Sequence, residues 1–212
     1  MMLQDNPTFA TLAVVFTILF ILEMRSFLKI SPYIFGCIWR WKYNLELEDS
    51  LQLSRSRDRI ALILAVPTCM LAYSYSIYNP DIIQKFSPAA RLGLVSAALL
   101  LQLPARAFLN WQFVPHGSRS KAFQAANGAF YNYSILLFFL VFFTGAVTNA
   151  LTGSMDTTQD VLVWTIAISY ALYVIRRGQI FASSCNPFVT ILYLCGLELL
   201  PTAILVLSGM LL

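Results

Sequence analysis

The chain has 212 residues, 58% of them hydrophobic and 11% charged, with a formal net charge of +4. So few polar residues cannot cover a water-facing surface, which excludes an ordinary soluble domain. The basic residues crowd into short stretches between long apolar runs, which excludes the spread basic face of a nucleic-acid binder.

Crossing about 30 Å of hydrocarbon at a helical rise of about 1.5 Å takes about 20 mostly apolar residues. Taken in chain order, Pro7 to Met24, Ile60 to Tyr78, Ala89 to Val114, Ala129 to Leu151, Val161 to about Ala182 and Phe188 to Leu212 qualify. These runs are continuous and not alternating, and in lipid only a helix satisfies each backbone N–H within its own segment. The expectation is an all-α polytopic transmembrane bundle of six spans forming a single domain over 1–212. Met1 to Pro7 carries no Lys or Arg and no small-residue cleavage site follows, so the first span is expected to stay. The fifth span is the least regular, because its clean apolar stretch ends at Ile175 and Arg176 and Arg177 must lie near the interface.

Between the first two spans lies a charged segment, 25–59. Ile30, Ile34, Ile38, Trp41 and Leu45 recur there at helical spacing, and Trp39-Arg40-Trp41-Lys42-Tyr43 mixes aromatic and basic residues. Two readings fit: a helix lying at the cytoplasmic headgroups, or a cytoplasmic extension of span one that packs on protein. Glu46, Glu48 and Asp49, then Arg55, Arg57, Asp58 and Arg59, read as a solvated charge cluster or a docking site for another membrane protein.

The turns at Asn79-Pro80-Asp81 and Thr152-Gly153-Ser154 are short and read as antiparallel hairpins. Orientation follows from Lys and Arg. The first loop holds Arg25, Lys29, Arg40, Lys42, Arg55, Arg57 and Arg59, the third Arg119 and Lys121, and the fifth Arg176 and Arg177. The other side has Lys85, with Arg91 just inside span three, and the acidic Asp156 and Asp160. The bias puts loops one, three and five in the cytoplasm and both termini outside.

One residue stands apart. Glu198 lies about ten residues into the last span, so about 15 Å deep, where a carboxylate must face protein and either pair with a cation or keep its proton. Arg106 is the expected partner. Gln102, Arg106 and Asn110 recur every four residues as one polar stripe, with Pro104 beside them. The stripe and Glu198 read either as a site or path or as an interhelical clamp. Pro67 and Pro201 are expected to bend their helices. On span five, Ser169, Tyr173 and Arg176 share a face that reads as an interface anchor.

Catalytic signatures are missing, which weighs against an enzyme: no HExxH, GxSxG, Walker loop or paired acidic motif occurs. The lone His116 sits in a loop without a ligand set, and Cys37, Cys69, Cys185 and Cys195 form no close pair and read as small apolar fillers. No metal or cofactor is expected. The sequon Asn132-Tyr133-Ser134 lies inside span four and is discounted.

The run Tyr193-Leu194-Cys195-Gly196-Leu197-Glu198-Leu199-Leu200-Pro201 resembles the Tyr-Leu-Cys-x-Leu-Glu-Ile-Leu-Pro signature of Bacteroidetes integral-membrane proteins catalogued as domain of unknown function 4271. Gly196 and Leu199 depart from it, standing where a polar or β-branched residue and an isoleucine are expected. The size and the charged first loop are similar too, so the likeness would cover nearly the whole chain. It implies a bacterial inner (cytoplasmic) membrane and a premium on Glu198, Cys195, Tyr193 and Pro201, and supplies no activity. The expected function is a non-enzymatic accessory or scaffold subunit of an envelope-biogenesis or secretion complex, contacting lipid and other membrane proteins through 25–59 or its span faces. The alternatives are a small carrier or lipid-handling protein using a Glu198/Arg106 pair near the midplane, and an intramembrane enzyme acting on a lipid.

Overall fold

A computed structural model describes residues 7–78, 85–113, 121–183 and 186–211. All regular structure among them is helical: α1 (Pro7–Trp39), α2 (Lys42–Asp49), α3 (Leu51–Ser74), α4 (Pro88–Phe113), α5 (Lys121–Thr152), α6 (Met155–Ala182), α7 (Pro187–Leu194), a π-helical turn (Cys195–Leu199) and α8 (Leu200–Leu211). The turn expected at Asn79-Pro80-Asp81 and the loop bearing His116 and Arg119 lie outside the described residues, as does Cys185.

The first apolar run does not end its helix. α1 continues for 33 residues, about 50 Å, and takes Pro32 into its interior. A helical proline has no N–H to give the carbonyl four residues back, here that of Leu28. The Ser31 hydroxyl donates to that carbonyl instead, at 3.1 Å. The lower half of α1 packs on protein: Ile30, Ile34 and Cys37 are buried, and Ile38, Trp41 and Leu45 lie against the core. The stripe of apolar residues in 25–59 therefore faces other helices and not headgroups.

α5 is the hub. Ala125, Ala126 and Ala129 are fully buried and let α6 approach closely, as small residues do between membrane helices. Gly153, with φ +60°, closes the tight α5–α6 hairpin expected at Thr152-Gly153-Ser154. On its other side α5 brings Ile135 to Ile30 and Ile34 of α1 and Ile60, Ala61 and Leu64 of α3. At the opposite end Gln159 donates to the Ser76 carbonyl at 3.1 Å, tying α6 to the end of α3.

The charge cluster in 25–59 is folded inward where it meets α5. Arg57 is 2% exposed and pairs with Glu48 of α2 and with Asp58, with Ser54 donating to Glu48. The guanidinium also lies 5.7 Å from the centre of the Tyr131 ring. Gly128 makes this possible, because a Cβ there would run into Glu48 Oε1 and Arg57 Nη1. One turn on, buried Asn132 donates to Asn44 Oδ1 at 2.7 Å, so the sequon asparagine is a packing residue. Arg59, by contrast, is well exposed and pairs with Glu23 at 3.2 Å.

Among the described residues three helices are long and apolar enough to cross a membrane: Ala10–Trp39, Phe123–Thr152 and Met155–Ala182. The other three apolar segments each carry an interruption: the charged first turns of α3, the polar residues of α4 beyond Ala90–Leu101, and the π turn that divides the last helix. Large apolar side chains such as Leu22, Leu28, Leu151, Trp164, Ile168 and Phe188 point outward, a surface fit for lipid and not for water.

Replacing Gly128 with Ala should lower the thermal unfolding midpoint of the detergent-solubilised protein by about 3–8 °C, since overpacking costs about 1–3 kcal/mol. Gly93→Ala, where a Cβ meets open space, should leave the midpoint unchanged. Equal midpoints for the two variants would show that the Glu48–Arg57 pair is not held against α5.

Candidate functional site

The last helix begins at Asn186, whose side chain accepts from Phe188 N at 3.3 Å, with Pro187 in the first turn where its missing N–H is harmless. It runs as an ordinary α-helix to Leu194 and then widens. Leu200 N–H bonds to the carbonyl of Cys195, five residues back, and Pro201 follows at once. A π turn of this kind adds a residue to the turn and re-aims the side chains within it. Glu198 sits inside it.

The carboxylate is 3% exposed and forms an ion pair with Arg177 of α6, itself 0% exposed. Tyr173, one turn earlier on α6, joins the two: its hydroxyl donates to Glu198 Oε2 at 2.7 Å and accepts from Arg177 Nη1 at 2.7 Å. Arg177 Nη2 reaches Asn127 Oδ1 of α5 at 3.3 Å, and its guanidinium carbon lies 5.4 Å from the centre of the Phe181 ring. The antiparallel run of the two helices explains the fit. Cα–Cβ bonds lean toward each helix's N-terminus, so Arg177 leans from the end of α6 toward its middle while Glu198 leans back to meet it.

The backbone of the π turn is held as well. The carbonyl of Glu198 accepts from Thr202 Oγ1 at 2.8 Å and from the Tyr170 hydroxyl at 3.0 Å. That hydroxyl also lies 2.9 Å from Thr202 Oγ1. Side-chain donors thus serve a carbonyl in a stretch where the π turn and Pro201 disturb the regular ladder. Tyr170, Tyr173 and Arg177 form one stripe along α6, each engaged with the last helix or its carboxylate.

Of the residues marked from sequence, Glu198 is where its chemistry demands, buried and charge-paired. Cys195 is exposed, while Cys37 and Cys69 are buried. The side chains of Gln102, Arg106, Asn110 and Tyr193 lie outside the described residues; the helix bearing the first three, α4, packs on the π turn and α8. The cation the structure places on Glu198 is Arg177, which the sequence assigned to the interface. A signal existed in the spacing of Tyr170, Tyr173 and Arg177, at i, i+3 and i+7, but an arginine next to a loop ordinarily snorkels to water. Ser169 and Tyr173 are buried in the bundle, not at an interface, and Arg176 turns the other way, toward α1.

Chemically the cluster can hold a charge pair in a dry interior, with one donor, Arg177 Nε, left without a hydrogen-bond partner. Among the described residues no group of His, Cys, Asp or Glu side chains could hold a metal ion. No protein-family model matches the chain, nor does any curated protein or solved structure.

Breaking a buried ion pair from one side costs about 3–5 kcal/mol in soluble proteins, whereas single polar contacts between membrane helices average about 0.6 kcal/mol. The contact here is charged on both sides and fully dry, so the first figure governs. Arg177→Gln and Glu198→Gln should each destabilise the protein by about 3–5 kcal/mol, and the double variant by less than the sum, in a double-mutant cycle read by reversible unfolding in micelles. Strict additivity would mean the two groups do not depend on each other. Tyr173→Phe should cost about 1 kcal/mol in the same assay.

Proposed function

We propose that the chain is a polytopic accessory or scaffold subunit of an inner-membrane complex for envelope biogenesis or secretion, not an enzyme. The observation that carries this reading is the closure of the Glu198 cluster. Its carboxylate, the Arg177 guanidinium and the Tyr173 hydroxyl engage one another at 0% and 3% exposure of the two charged side chains. A group committed in that way clamps helices together; it does not wait for a substrate. The likeness of Tyr193 to Pro201 to the Bacteroidetes family of unknown function supports the same membrane and the same premium on Glu198.

The topology that goes with this proposal is six spans with both termini periplasmic. It rests on the Lys and Arg count, and the basic ends of α1, α5 and α6 together on one end of the bundle agree with it. Alkaline phosphatase fused after Leu212 should be active and a fusion after Lys121 inactive; the reverse pattern would overturn the orientation. Extraction in mild detergent at native expression should recover the chain in a particle larger than itself plus micelle. A monomer with no co-purifying membrane protein would overturn the subunit reading.

A second reading is favoured by one feature, the π turn beneath a buried carboxylate, a device found often where helices do chemistry. In it the chain is a small carrier or lipid-handling protein, with Glu198 and Arg106 coupled near the midplane. Loss of growth or transport on Glu198→Gln and Arg106→Gln, at unchanged protein level, would support it; full complementation by both would end it.

A further inference from the structure

Where α1 ends, its last turn leaves carbonyls without helical partners. Arg176 of α6 supplies the donors: Nη2 lies 2.7 Å from the Ile38 carbonyl and 3.1 Å from that of Trp39, while Nη1 holds Gln179 at 2.8 Å. This contact fixes the end of α1 to α6 and leaves a cavity of about 320 Å³ between them and the turn into α2, lined by Trp39, Arg40, Trp41, Lys42, Arg176 and Gln179. That volume falls within the range of about 300–1,000 Å³ usual for small-molecule sites.

The lining is unusual in its chemistry. Three cations and two indoles face one space, and among the described residues no carboxylate lines it. Arg176 is pinned from one side, its Nε has no hydrogen-bond partner, and Arg40 and Lys42 are exposed on the other side. Trp39, at the end of a membrane-crossing helix, is 80% exposed. A tryptophan left open at such a position belongs at headgroup level, where its ring is half in hydrocarbon and its N–H is wet. A phosphate at that height finds cations on several sides, an indole against its glycerol, and acyl chains that follow α1 past Phe35 and Leu28, which are exposed on the same face as Trp39.

We propose that this pocket binds the phosphate of an anionic glycerophospholipid, from the leaflet on the basic side of the bundle. The two indoles and the exposed apolar face leading away from the pocket favour a phosphate that carries a lipid tail over a free one. Naming that leaflet cytoplasmic rests on the orientation reading above, but binding by the solubilised protein does not depend on it, so the two can fail separately.

The test uses the full chain in micelles and native mass spectrometry with phosphatidylglycerol, phosphatidylcholine or inorganic phosphate as probe. Arg40→Gln/Lys42→Gln removes two exposed cations from the lining, and Arg25→Gln/Lys29→Gln removes two exposed cations from α1 outside it. The expected result is retention of one phosphatidylglycerol in preference to phosphatidylcholine, weakened roughly 20-fold by the first variant and by less than about threefold by the second. Unchanged thermal unfolding of the first variant would confirm that the loss is one of binding. Equal loss in both variants, equal retention of phosphatidylcholine, or inorganic phosphate binding as well as the lipid would each overturn the proposal.

Discussion

A carboxylate removed from water loses the hydration that makes its charge stable, and hydrocarbon returns none of it. The geometry around Glu198 follows from that constraint. Arg177 must come deeper than an arginine at a helix end ordinarily lies, Tyr173 must bridge the two, and the helix bearing Glu198 must turn its carboxylate toward α6. The π turn is the backbone's part in this, and Tyr170 and Thr202 are its support. Because α6 is bound to α5 by the alanine seam, fixing Glu198 to α6 fixes the last helix to the whole bundle.

The same logic recurs at the basic end of the molecule, where polar groups are buried against α5 or α6 and each finds partners among its neighbours. Arg57 lies between Glu48 and Tyr131, Asn132 meets Asn44, and Arg176 takes up the free carbonyls of α1. These contacts anchor α2, a helix too short and too polar to hold a place alone. Toward the other end, α1 has no fully buried side chain before Ile30 among the described residues and presents isoleucine and leucine outward. Polar contacts thus concentrate at one end of the bundle, and apolar packing of α1, α3 and α5 carries the rest.

Much of this was legible in the chain before any coordinates. The apolar runs marked the helices, Thr152-Gly153-Ser154 marked a hairpin, and the burial of Glu198 followed from its depth in the last run. The partner was not legible. Counted from the inner ends of their expected spans, Arg106 lies nearer the depth of Glu198 than Arg177 does, and only the register of α6 against the last helix brings Arg177 to the carboxylate. Nor does a proline at 201 reveal whether the helix answers with a kink, a missing bond or a π turn. The charged stretch before Ile60 looked solvated because it gathers so many charges of both signs; Gly128, far away in sequence, is what lets it pack inward.

The sequence by itself determined that the chain is helical and membrane-embedded, because hydrophobic content and run length are one-dimensional quantities that lipid reads directly. It also determined which end of the bundle is basic. Pairing was decided by tertiary structure alone: which arginine neutralises Glu198, which helix α2 lies on, and which cations share a cavity at Trp39. Such pairings depend on helix rotation and on approach distances set by Gly128 and the alanines of α5, and neither quantity is written in any local stretch of residues.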